Sequence, residues 1–201
     1  MKSLPIILAL LVAPFASAGT VFSNGSPSLA SASASDVALG SLAFDDFTLV
    51  SSATIRAVEW WGVYFPNAVS VDNFTIEFSN DSAGTPGTLI ASYLVSPTRV
   101  DTGLLVNSAF NLYNYNVTIP DTPLVAGTYW LSIFNNTTAS SNRWYWATSA
   151  SSGNATSTTG PLDVELAFRL DDGSSVPEPA SLLLSAAGLA AVVAFRKRRS
   201  A

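Results

Sequence analysis

The 201-residue chain has no cysteine and no histidine. Without cysteine there are no disulfides, zinc fingers, thiol nucleophiles, haem attachments or iron–sulfur clusters, and the core must hold the fold alone. Without histidine, the usual general base, the usual partner of a nucleophilic serine and the commonest metal ligand are all missing. Charge is scarce as well, at 11% of residues. Between Gly19 and Pro179 only Arg56, Arg99, Arg143 and Arg169 face all fourteen acids, a formal −10. Such a surface argues against nucleic acid or anionic lipid as a partner.

The two ends carry what the middle lacks. At the N-terminus, Lys2 is followed by an apolar run over 4–15 and the small-x-small triplet Ala16-Ser17-Ala18. This pattern predicts a signal peptide over 1–18 and a mature chain starting at Gly19. At the C-terminus, three unlike pieces stand in order: Val176-Pro177-Glu178-Pro179, an uncharged apolar stretch over 180–195, and Arg196-Lys197-Arg198-Arg199. The prolines fix φ and keep their site extended. Seven residues of the stretch favour hydrocarbon, together worth roughly −2 to −4 kcal/mol on insertion, while the cations stay on the cytoplasmic side. A helix over 180–195 would span about 24 Å, short against about 30 Å of hydrocarbon and therefore better suited to a transient anchor than a permanent one.

The 176–201 segment resembles the PEP-CTERM sorting signal of Gram-negative, exopolysaccharide-producing bacteria. The resemblance implies recognition of Pro177-Glu178-Pro179 by an exosortase, a membrane-embedded cysteine protease that removes the tail. The passenger would be held briefly in the inner membrane through 180–195. It would then be released, or attached to the cell surface or its exopolysaccharide matrix.

The passenger itself, 19–175, is long enough for one domain with its own core. Its character is all-β: short runs rich in Val, Ile, Thr, Phe, Tyr and Trp, bounded by Gly, Pro, Asn, Asp or Ser. Strands are expected over 42–50, 54–65, 73–78, 88–95, 110–119, 127–134, 143–148 and 163–170, with an edge strand over 20–22. Segments 23–35 and 147–161 read as loops, and Pro120 and Pro123 as an interruption. Alternation in 74–78 and 163–170 puts apolar side chains on one face, as in antiparallel sheets with one wet side. The expected fold is an antiparallel, jelly-roll-like β-sandwich. The phrases Phe44-Asp45-Asp46-Phe47, Trp60-Trp61-Gly62-Val63-Tyr64, Gly127-Thr128-Tyr129-Trp130-Leu131 and Trp144-Tyr145-Trp146 resemble a small β-sandwich passenger recurrent among PEP-CTERM proteins. That likeness implies fold and secretion.

Two sets of side chains are candidates for chemistry. Trp60 and Trp61 are adjacent in a strand, so they face opposite sides. Trp144 and Trp146 alternate with Tyr145. Those rings that meet solvent suit stacking against sugars; otherwise both faces are covered and the rings are core. Trp61, Trp144, Tyr145 and Trp146 are the candidate carbohydrate contacts. The acids Asp45, Asp46, Glu59, Glu77, Asp81 and Glu165 could supply a carboxylate pair for glycoside hydrolysis, whose carboxyls stand about 5 to 9 Å apart. They are otherwise solvated acids or oxygen ligands for calcium, with Asp81 in its Gly-rich loop best placed. No complete EF-hand spacing occurs. The expectation is a non-enzymatic surface or matrix protein without catalytic residues or a required cofactor. The alternatives are a polysaccharide hydrolase and a permanently anchored surface protein.

Overall fold

The computed structural model describes residues 19–68 and 71–173. The expected signal peptide, the Pro-Glu-Pro site, the anchor over 180–195 and the basic residues 196–199 lie outside the described residues. Among those described, no helix is long and apolar enough to cross a membrane.

The described residues form thirteen strands in chain order: β1 (Thr20–Ser23), β2 (Pro27–Ala34), β3 (Ala43–Leu49), β4 (Ala53–Phe65), β5 (Phe74–Asp81), β6 (Pro86–Val95), β7 (Thr98–Val106), β8 (Phe110–Leu124), β9 (Gly127–Asn135), β10 (Arg143–Ser149), β11 (Thr156–Ser157), β12 (Gly160–Pro161) and β13 (Phe168–Asp171). All ladders between them are antiparallel. The first sheet is built on the long β4. Strand β8 and then β7 lie along one side of it; β13 and β10 share the other, extended by β1 and β2. The second sheet runs β12-β11-β3-β9-β5-β6. One apolar core draws on both sheets, so the two pack face to face as a β-sandwich.

Period-two patterning explains which side chains enter it. Phe74, Ile76 and Phe78 of β5 are fully buried, as are Val58, Trp60 and Tyr64 of β4. Trp60 stacks on Tyr115 at 5.4 Å and meets Phe74 edge-on at 5.3 Å; Trp144 meets Phe74 edge-on at 4.9 Å. Such pairs add about 0.5–1.5 kcal/mol each beyond their burial, a substantial share of cohesion in a chain without disulfides. Gly62 interrupts the inner row of β4 for a steric reason: a Cβ there would lie 2.5 Å from the Trp144 ring.

Five expectations need correction. Segment 23–35 is largely strand: β2 pairs with β10, and Ser28 and Ser31 bond to Thr148 Oγ1 at 2.8 and 3.0 Å. Small residues there have little strand preference of their own, and the partner strand decides. Strand β7 went unread because Asp101 and Gly103 resemble a turn; they mark a bulge, with Gly103 at φ 71°. Pro120 and Pro123 do not end β8. Pro120 falls in a bulge opposite Ile55–Ala57, and Pro123 lies beyond the part of β8 that β7 covers, where a missing N–H costs no ladder bond. Residues 163–167 do not join β13, and within 147–161 the short β11 and β12 extend the second sheet past β3.

Candidate functional site

Asp45 occupies an inward position of β3, in the row Ala43, Asp45, Phe47, Leu49, and is fully buried. Its Oδ2 accepts the Leu166 backbone N–H at 2.6 Å and the Asn24 side-chain amide at 2.9 Å. The same Asn24 amide donates to Glu165 Oε2 at 2.7 Å. Asp45 Oδ1 is buried, and no N–H or O–H reaches it. Asp46 and Glu165, both half-buried, complete a trio whose carboxylate oxygens lie within 4.8 Å of one another. Asn154 ties the 149–165 loop to this trio, its side chain bonding Asp46 and its backbone bonding Glu165. Gly153 lies so close beneath Glu165 that a Cβ would fall 1.4 Å from Oε1.

The electrostatics follow from this packing. Burial strips water from Asp45, the neighbouring Glu165 and Asp46 carboxylates add repulsion, and a hydrogen bond to the Glu165 carboxylate also favours the protonated form of Asp45. Its pKa is pushed up to about 9 despite the Leu166 N–H. Glu165 and Asp46 also lie above their ordinary values, in each case first because of burial. Asp46 adds repulsion to Glu165, and Asp81 to Asp46. Every charged neighbour acting on the trio is itself an acid. The arginines are engaged elsewhere: Arg56 with Asp121, Arg99 with Asp72, Arg169 with Glu59 and Asp171, and Arg143 with the carbonyls of Thr137, Ser140 and Asn142. The trio can therefore share protons or hold a cation. Asp45 itself is sealed and cannot reach a substrate, so it cannot serve as either carboxyl of a glycoside hydrolase.

A second feature lies on the outer face of the first sheet. There Val63, Val106, Leu112 and Ala147 form a small apolar cluster with Trp61, Phe110 and Tyr145 packed against it. The turn after β7 curls back to β2 through an Asn107 N–H to Leu29 carbonyl bond of 2.8 Å. Between them runs a groove of about 370 Å³, whose lining includes Phe65, Phe110, Tyr145, Asn107 and Ser31. Phe65 is 52% exposed and meets Phe110 edge-on at 5.5 Å.

The structure separates the four candidate aromatic rings. Trp144 and Trp146 are completely buried and offer no face to a sugar, because they share the inward row of β10. This corrects their placement in a ligand surface. Tyr145 lines the outer groove, and Trp61 is half-buried beside it. Asp81 lies outside the carboxylate trio. Its Oδ1 accepts Trp130 Nε1–H at 2.8 Å, and both its oxygens accept the Gly84 N–H. Glu59 pairs with Arg169 and accepts from Asn114, and Glu77 accepts from Ser92. Sequence reasoning missed Asn24, Gly153, Asn154, Phe65 and Phe110. One signal was present: an aspartate on the apolar row of β3.

Comparison with known families adds one finding. Residues 175–199 match the PEP-CTERM protein-sorting motif. The PEP-CTERM motif indicates an exported protein, processed by an exosortase and sorted to the cell surface. The PEP-CTERM match covers only this C-terminal stretch and leaves the sandwich unassigned. No curated protein and no solved structure matches the chain.

Proposed function

We propose that 19–173 is the working part of a surface protein that reaches the matrix by way of a signal peptide over 1–18 and a short-lived anchor over 180–195. Exosortase cleavage near Pro177-Glu178-Pro179 then frees or attaches it. Once there it acts without catalysis, as a structural or adhesive element that touches exopolysaccharide through the Phe65–Phe110–Tyr145 groove. The sorting motif at 175–199 is the observation that carries this reading. Aromatic faces beside amide and hydroxyl groups give the groove the chemistry that sugar rings take.

Intact-mass spectrometry of the surface and culture fractions tests the processing. The expected mature chain begins at Gly19 and ends near Pro179. A full-length chain ending beyond Arg199 would instead mean a permanent anchor. Binding to host exopolysaccharide should weaken in Tyr145→Ala and Phe65→Ala proteins, with no release of reducing ends from the polymer. Unchanged binding would remove the groove from the proposal, and sugar release would support hydrolysis.

A further inference from the structure

We propose that Asp45, Asp46 and Glu165 form a calcium site at the edge of the sandwich, closed by the 149–165 loop. Three observations converge. The three carboxylate oxygens lie within 4.8 Å of one another, a spread that a single ion with ligands at about 2.3–2.6 Å spans. Asp45 is fully buried, and its Oδ1 is the one oxygen of that side chain that no N–H or O–H reaches. No basic side chain among the described residues offsets the three acids. A buried carboxylate with one oxygen unbonded and no countercharge is costly, and a cation removes both deficits together.

The donors select the ion. All are oxygens, which excludes the softer metals that thiolate or imidazole would hold. Asp46 and Glu165 are only half-buried, leaving room for waters beside three carboxylates; an irregular set of this kind suits calcium's flexible shell of six to eight oxygens better than magnesium's strict octahedron. Asn24 and the Leu166 N–H already occupy Asp45 Oδ2, which leaves Oδ1 as the oxygen of that side chain without a donor. Gly153 belongs to the site because any side chain there would displace the Glu165 carboxylate. Extracellular calcium modules bind at about 10⁻⁴–10⁻³ M, a range that suits an exported protein.

Thermal unfolding of the mature protein in calcium chloride, magnesium chloride and EDTA tests the proposal. At ten to a hundred times Kd, calcium should raise the midpoint by about 3–10 °C over EDTA, and magnesium by less. Calorimetric titration should give one ion per chain. Asp45→Asn and Glu165→Gln should each abolish the shift, and Asp81→Asn should keep it. Should Asp45→Asn fail to fold, Gly153→Ala serves instead: it displaces Glu165 from a loop and should lose the calcium response while the sandwich stays folded. No calcium shift in the unaltered protein would overturn the proposal, leaving a carboxyl pair that shares a proton. A shift that survives both Glu165→Gln and Gly153→Ala would overturn it equally.

Discussion

Asp36 and Asp45 are both sealed from solvent, and the protein treats them in opposite ways. Asp36 precedes β3 and is fully paired. Its Oδ1 accepts Ala38 N–H at 2.9 Å and Thr137 N–H at 3.3 Å, and its Oδ2 accepts Thr137 Oγ1–H at 2.7 Å and Trp144 N–H at 2.8 Å. Beside it Asn135 uses its whole amide, accepting from Asn73 and Asn136 and donating to Tyr64 and to the Val71 carbonyl. Asp45 has two donors on one oxygen, none on the other, and two acids for neighbours. A satisfied buried carboxylate fixes loops and strand ends. One left half-satisfied beside others of its sign calls for a ligand. The first is architecture, and the second is the candidate for function.

The contrast can be broken most forcefully at Asp36. Asp36→Ala strips four hydrogen bonds from buried or half-buried donors and should cost about 3–5 kcal/mol in urea unfolding, equally with calcium or EDTA. A cost below about 1 kcal/mol would mean that this end of the sandwich relaxes around the loss. Alkaline pH attacks the same end. Burial raises the pKa of Tyr64 and Tyr115 above the ordinary 10.0, so the fold holds both phenols neutral. The stability linked to that state is complete below pH 10 and is lost as unfolded tyrosine ionises above it. The slope is up to about 1.4 kcal/mol per pH unit for each ring. Unfolding curves at successive pH values above 10 should show the decline, and Tyr115→Phe should reduce it.

Asp45→Asn should carry the opposite sign to Asp36→Ala. In EDTA near neutral pH it removes a carboxylate that the fold must keep protonated, and stability should rise by about 1–2 kcal/mol. A loss of that size would put Asp45 in the same class as Asp36. The smallest effect is expected from Tyr115→Phe below pH 10. The Tyr115 hydroxyl is buried near Tyr64 and Trp144 without a well-formed hydrogen bond, so its removal should change stability by less than about 0.5–1 kcal/mol.

Local patterning made much of the fold legible. The alternation in 74–78 and in 166–170 and the opposed faces of Trp60 and Trp61 follow from side-chain period alone. It also required Trp144 and Trp146 to share one face, but could not say which. That depended on Gly62 opening space for the Trp144 ring across the ladder. Strands β2 and β7 were not legible, since small residues and turn-like residues become strand only when a distant partner claims them. The acidic trio was hidden for a similar reason. The Leu166 N–H that meets Asp45 lies 121 residues further along the chain, and Glu165 belongs to 163–167, whose alternation reads as strand although it does not join β13.

A crystal structure of the mature protein grown with calcium tests the difference between the two aspartates most directly. An ion is expected about 2.3–2.6 Å from Asp45 Oδ1, with Asp46 and Glu165 in the same coordination shell and none at Asp36. An empty site, with the Asp45 and Glu165 carboxyls bonded to each other through a shared proton, would contradict it.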